Sequence, residues 1–169
     1  ALPTNPWEGY RYAKRERIES LITKNTRAIL ITNPGNPTGT VLTAGEMEML
    51  VDVALAHDLF LIGDEADREF VYEDGAPLQS FGSYEKGREH VIVIDTVSKR
   101  FSACGARVGC LLSHNKAFLD HAMKSLYSKN PPAAERSCRG ILNIKIKKRK
   151  EDEVIKVLIE KIKQMRNNS

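Results

Sequence analysis

Three short polar clusters hold the side chains of this sequence that could do chemistry together. The first is Asn33-Pro34-Gly35-Asn36-Pro37-Thr38-Gly39, and the second is Asp64-Glu65-Ala66-Asp67. The third runs from Thr96 through Ser98 and Lys99 to Gly105-Ala106-Arg107-Val108-Gly109. They offer an amide, carboxylates, hydroxyls, an amine and a guanidinium, a set suited to an anionic ligand and to imine chemistry at the lysine. Singly, each has an ordinary explanation: a turn, a capping carboxylate, a solvated lysine. Their value lies in what precedes them.

Each cluster follows an apolar run. Ala28–Thr32 (AILIT) is β-rich and closes on the first cluster, Leu59–Ile62 reads as a buried strand ahead of the second, and Val91–Asp95 (VIVID) ahead of the third. Between the first two, Thr43 and Glu46 have the spacing of a capping box. Met47, Leu50, Val51, Ala54 and Leu55 then recur at helical spacing as far as His57. Residues 72–90 are polar and rich in Gly and Pro, which predicts loop. Val108–Leu112 is a fourth apolar run, and 116–127 suits a helix after Ser113. Strands alternating with helices predict an α/β fold with a mostly parallel sheet flanked by helices. In such sheets ligands bind beyond the carboxyl ends of the strands, where all three clusters fall.

The order and spacing of these clusters resemble the pyridoxal-phosphate (PLP) dependent aminotransferases of class I/II, with the aspartate aminotransferase fold, over residues 15–127. The resemblance implies a partial PLP-binding large domain over residues 1–130, and amino-group transfer between an amino acid and a 2-oxo acid. It makes Lys99 the catalytic residue that holds PLP as a Schiff base and shuttles a proton, its amine kept neutral by burial and nearby positive charge. Asp64 would pair with the pyridine nitrogen and keep it protonated, so that the ring accepts electrons. Asn36 would donate to the cofactor's 3′-oxygen. Arg107 would grip the phosphate, with the Thr96 and Ser98 hydroxyls beside it. The Asn36-Pro37 bond is expected to be cis, a minority state for any X-Pro bond.

One cofactor-binding position departs from the family pattern: Asp67 stands where a tyrosine usually donates to the 3′-oxygen. An acid there repels a phenolate and favours the protonated imine, to the detriment of transamination; the plainer alternative is a surface acid. The resemblance also implies a phosphate loop, a ring-stacking aromatic and a carboxylate-gripping arginine that have no visible counterpart here. The expected pocket is thus half built, the cofactor-holding middle of a larger enzyme. A non-catalytic remnant of the fold, serving as a binding or interaction module, is the competing reading.

Composition narrows the remaining choices. The 169 residues carry 26 Lys+Arg and 22 Asp+Glu, a formal charge of +4. Residues 143–169 hold nine basic and four acidic side chains, so the rest is slightly acidic. That argues against a nucleic-acid surface on the main body. Pro131-Pro132 marks a boundary, and 131–169 reads as a basic helical segment with an apolar stripe at Val154, Ile155, Leu158, Ile162 and Met165. It lacks an aromatic for base stacking, so a solvated helix face is preferred over an anion-binding module.

Cys104, Cys110 and Cys138 are odd in number and show no CxxC spacing, which favours a reducing, cytoplasmic setting without disulfides or structural zinc. Cys104 and Cys110 are expected to be small buried hydrophobes, and His114 and His121 exposed polar residues rather than metal ligands. Trp7, in a Pro-containing arm, suits a packing or dimer contact. The start shows no signal peptide and no apolar run spans a membrane. A homodimer is possible, since active sites of the resembled family commonly form between subunits.

Overall fold

The computed structural model describes residues 2–71, 79–106 and 108–129. The expected basic segment 131–169, its apolar stripe, Cys138 and Arg107 lie outside the described residues. In chain order the main elements are α1 (Arg15–Glu19), β1 (Ala28–Thr32), α2 (Ala44–Ala56), β2 (Phe60–Asp64), β3 (Val91–Thr96), α3 (Val97–Arg100), β4 (Gly109–Ser113) and α4 (Lys116–Lys129). The four strands form one sheet in the order β1-β2-β3-β4. β1, β2 and β3 run parallel, as the sequence predicts; β4 returns antiparallel against β3, with Ile94 opposite Leu111. The sheet is therefore mostly parallel.

α2 forms where its sequence signals place it. Thr43 Oγ1 accepts from the Glu46 N–H at 3.2 Å while the Thr43 N–H donates to Glu46 Oε2 at 2.7 Å, completing the capping box. Met47, Leu50, Val51 and Ala54 are buried on its sheet-facing side. Leu55, expected in that stripe, is 36% exposed and Val53 is buried in its place, because the buried face is centred a little to one side of the stripe read from sequence.

α1 and α2 cover one face of the sheet. There Ile29, Ile31, Leu61, Val91 and Val93 join the α2 residues and Phe81 in a single core. The other face is only partly covered. Leu30 is 66% exposed and Ile94 38%, and Phe118 of α4 packs on Phe60 near the start of β2, ring centroids 5.5 Å apart. Helices thus flank the mostly parallel sheet as the sequence predicts, with one face more fully covered than the other among the described residues. Phe81 and Gly87 sit in short 3₁₀ turns (Phe81–Ser83, Glu85–Gly87), where the sequence predicts loop. Phe81 is completely buried because Gly63 leaves room for its ring: a Cβ at Gly63 would stand 2.6 Å from Phe81 Cδ2.

Candidate active site

The parallel ladder puts the carboxyl ends of β1, β2 and β3 side by side. Thr32 is the register partner of Asp64, and Asp64 of Ile94. Beyond the strands the ladder continues, with the Asn33 N–H on Asp64 O and the Glu65 N–H on Ile94 O, both at 2.9 Å. The three polar clusters therefore share one edge of one sheet.

The first loop is closed by its own backbone. Gly39 N–H donates to Gly35 O at 2.7 Å and Gly35 N–H to Thr40 O at 2.8 Å. Gly39 has φ +70, a left-handed conformation suited to glycine. Asn33 is buried and its Oδ1 accepts from Leu42 N–H at 3.0 Å, tying the loop to the entry of α2. Both Asn33-Pro34 and Asn36-Pro37 are cis, where the sequence reading names only the second. Asn36 is left exposed at the tip, and its Nδ2 donates to Asp67 Oδ2 at 3.3 Å.

Asp64 ends β2 half-buried, with Oδ1 accepting from Ala66 N–H at 3.1 Å. Its neighbour Glu65 is 2% exposed. Glu65 Oε1 accepts from Ser80 Oγ at 3.0 Å and from Phe81 N–H at 2.8 Å, which pins the 80–83 turn beneath the site. Burial pushes the Glu65 carboxyl above its ordinary pKa, against the lowering effect of those two bonds and of Arg68. Sequence reasoning gives Glu65 no role. The signal was there: strand alternation puts residue 65 on the buried face with Leu61 and Gly63.

At the third strand end, Thr96 caps α3. Its Oγ1 accepts from Ser98 N–H at 3.1 Å and lies 2.9 Å from Ser98 Oγ and 3.0 Å from Val108 O. Thr96 Oγ1 is thus committed to the turn, while Ser98 is half-buried with a hydroxyl proton of its own to give. Arg100 fastens this turn to the segment that follows the second cluster, bonding Asp95 Oδ2 at 2.9 Å and Glu69 Oε1 at 3.1 Å with its side chain 12% exposed. Burial raises the Asp95 pKa, and the Arg100 charge opposes that shift.

Lys99 lies on α3 at this same edge, but exposed. The burial expected around its amine is not supplied by the described residues, and the adjacent guanidinium of Arg100 is engaged with two carboxylates. Lys99 makes no hydrogen bond or ion pair with Asp64 among the described residues. Asn36, Asp64, Asp67, Thr96, Ser98 and Lys99 are thus gathered at one sheet edge, and Asn36 and Asp67 touch.

The remaining candidates sort differently. Cys110 is buried, and burial together with the Asp95 charge pushes its thiol up to about 11, which keeps it inert. Cys104 is exposed, against expectation, because the 3₁₀ turn it begins stands at the surface, where its Sγ–H meets Ser98 O at 3.3 Å. His114 and His121 are exposed, and only His121 is helical. Trp7 is 92% exposed, on a turn capped by Asn5, and packs on nothing within the described chain. Among the described residues no helix is long and apolar enough to cross a membrane.

A groove of about 480 Å³ opens beside Asn36 and Asp67, with Pro34, Pro37, Val41 and Phe70 in its walls. Its volume is in the range of small-molecule sites. Asp64, Thr96, Ser98 and Lys99 are not among its lining residues; the amide of Asn36, the carboxylate of Asp64 and the hydroxyl of Ser98 along the strand ends are groups of the kind that the ring nitrogen and polar substituents of PLP call for.

The family model for aminotransferase class I and II matches residues 8–168. This chain belongs to that family. The match runs through the basic segment, well past residue 127, where the motifs legible in the sequence end. Aromatic-amino-acid aminotransferase 2 of Thermococcus litoralis is 38% identical over 110 residues, 65% of this chain and 28% of that protein. A probable aspartate/prephenate aminotransferase of Thermus aquaticus is 35% identical over 64% of this chain and 27% of its own length. The crystal structure of an aromatic aminotransferase from Pyrococcus horikoshii OT3 superposes with a TM-score of 0.61 at 34% identity, covering 66% of this chain and 29% of that one. The chain thus spans a little over a quarter of the length of these relatives. The family is generally PLP-dependent.

Proposed function

We propose that this chain is the cofactor-holding part of a PLP-dependent aminotransferase that moves an amino group between an amino acid and a 2-oxo acid. The observation that carries this reading is the convergence of the Asn36 loop, Asp64 and the Thr96–Lys99 turn at adjacent strand ends, in a member of this family. When bound, PLP supplies an electron sink for the bond that breaks at the substrate α-carbon.

The chain's own residues do the rest. Asp64 pairs with the pyridine nitrogen and holds its proton there. Lys99 holds the cofactor through its amine and moves the proton. Asn36 donates to the ring oxygen, Ser98 donates to the phosphate, Thr96 fixes the turn that presents both, and Arg107 grips the phosphate. In this reading the protein works in the cytoplasm, which its unspaced cysteines favour, and as a homodimer, the arrangement in which resembling enzymes complete their sites.

Adding PLP to the full chain is expected to produce a visible-edge absorbance band that Lys99→Ala abolishes. Absence of the band at PLP well above the protein concentration overturns the reading. The exposure of Lys99 and the presence of Asp67 favour a second reading, a non-catalytic remnant. A band without keto-acid formation from a panel of amino acids selects that one.

A further inference from the structure

Lys99 is carried by α3, a single turn of four residues, too short to hold its own shape. What holds it is a bracket built on Asp95. Asp95 Oδ1 accepts from the Thr96 N–H at 2.6 Å, where the turn begins, and Asp95 Oδ2 accepts from Arg100 Nη2 at 2.9 Å, where it ends. The same guanidinium reaches outward through Nε to Glu69 Oε1 at 3.1 Å. The side chains of Arg100 and Asp95 are 12% and 15% exposed, so their ion pair is shielded from water, whereas that of Glu69 is 52% exposed. Successive residues of a helix stand about 100° apart around its axis. With Arg100 pinned inward, the rotation of the turn is set, and Lys99 is turned out to the open edge that Asp64 and Ser98 share.

Resting on the cofactor reading above, we propose that Arg100 is the positioning residue for Lys99: by bridging Asp95 and Glu69 it fixes the direction in which the amine is presented. Two carboxylates in different segments need a planar fork with donors at both Nε and Nη2. A lysine in its place reaches one of them at a time and loosens the turn. The guanidinium is spent on these two carboxylates, so Arg100 acts through Lys99 and not on a ligand. When Lys99 takes PLP, its Nζ bonds the aldehyde carbon, and the two amine hydrogens leave with the aldehyde oxygen as water. Pyridoxine 5′-phosphate has an alcohol in place of the aldehyde and cannot form that bond, but it offers the same ring and phosphate. The ratio of the two affinities therefore reads the contribution of Lys99 apart from the rest of the site.

The test measures the affinity of the full chain for both compounds by equilibrium dialysis at neutral pH. The parent is expected to prefer PLP. In Arg100→Lys that preference is expected to fall about tenfold, because the amine is out of place for much of the time. In Glu69→Gln, which cuts the outer arm at a half-exposed carboxylate, it is expected to fall about twofold to threefold. Affinity for pyridoxine 5′-phosphate, which gains nothing from the amine, is expected to change less than about twofold in either variant. Equal weakening of both compounds, the mark of a merely structural role, overturns the proposal and leaves the cofactor reading standing, and so does a preference unchanged in variants shown to be folded by circular dichroism. If Arg100→Lys does not fold, Glu69→Gln decides alone. A parent that binds neither compound, or binds PLP no better than pyridoxine 5′-phosphate, overturns both.

Discussion

Glu65→Ala is expected to destabilise the fold by about 2–4 kcal/mol, read as a lowered midpoint in urea unfolding. The carboxylate is 2% exposed and accepts from two donors, Ser80 Oγ–H and Phe81 N–H, neither of which gains another partner when it is removed. Truncation also leaves Arg68 without the carboxylate 3.7 Å away. Glu65→Gln separates hydrogen bonding from charge, since the amide oxygen still accepts at the Oε1 position; its cost is expected to be about 1 kcal/mol or less.

The pH dependence gives this prediction a second handle. Burial raises the folded-state pKa of Glu65 above the ordinary 4.5, so the native protein binds this proton more tightly than the unfolded chain does. Its contribution is most favourable below about 4.5 and is lost as pH rises through the higher folded value. Glu65→Gln has no such loss. Its stability relative to the parent is therefore expected to improve as pH increases above 4.5. A difference that stays flat would mean that Glu65 titrates in the fold as an ordinary carboxylate, and one that moves the other way would mean that its folded pKa is lowered.

The second large effect belongs to Phe81. Its side chain is fully buried and fills the space that Gly63 leaves open on the core face of β2. Phe81→Ala is expected to cost about 3–5 kcal/mol through lost burial and the cavity left behind. Phe81→Leu, which fills most of the space, should recover more than half of that. Because the backbone N–H of Phe81 is also a Glu65 partner, the two sites are coupled. Combining Phe81→Ala with Glu65→Ala is expected to cost less than the sum of the single changes.

The positions of the elements were legible where the signal is local. Thr43 and Glu46 mark the start of α2, and the apolar runs at 28, 59 and 91 fall within a residue or two of the strands that form. The loop after β1 and the carboxylates after β2 could be placed at strand ends because hydrophobic alternation stops there. Long-range arrangement was not legible in the same way. That β4 turns back antiparallel depends on the short 3₁₀ turn at Cys104–Ala106 and on Thr96 bonding Val108 O, which no periodicity encodes.

The candidate site shows the same division. Residue types and strand-end placement picked out the three clusters, the family resemblance singled out Asn36, Asp64, Thr96, Ser98 and Lys99 within them, and the register brings these to one edge. Spacing is silent on exposure, so the open position of Lys99 and the contact of Asn36 with Asp67 emerge only in three dimensions. Glu65 escaped notice because a carboxylate in a polar cluster reads as solvated; only its place in the strand alternation, opposite in facing to Asp64, sends it inward.

We propose Lys99 as the residue that takes PLP. Reduction with borohydride after incubation of the full chain with PLP, followed by peptide mass mapping, tests it most directly. A single stoichiometric phosphopyridoxyl label is expected on the peptide containing Lys99. Label spread over the exposed lysines, with Lys99 unmodified or no more modified than the others, would contradict it.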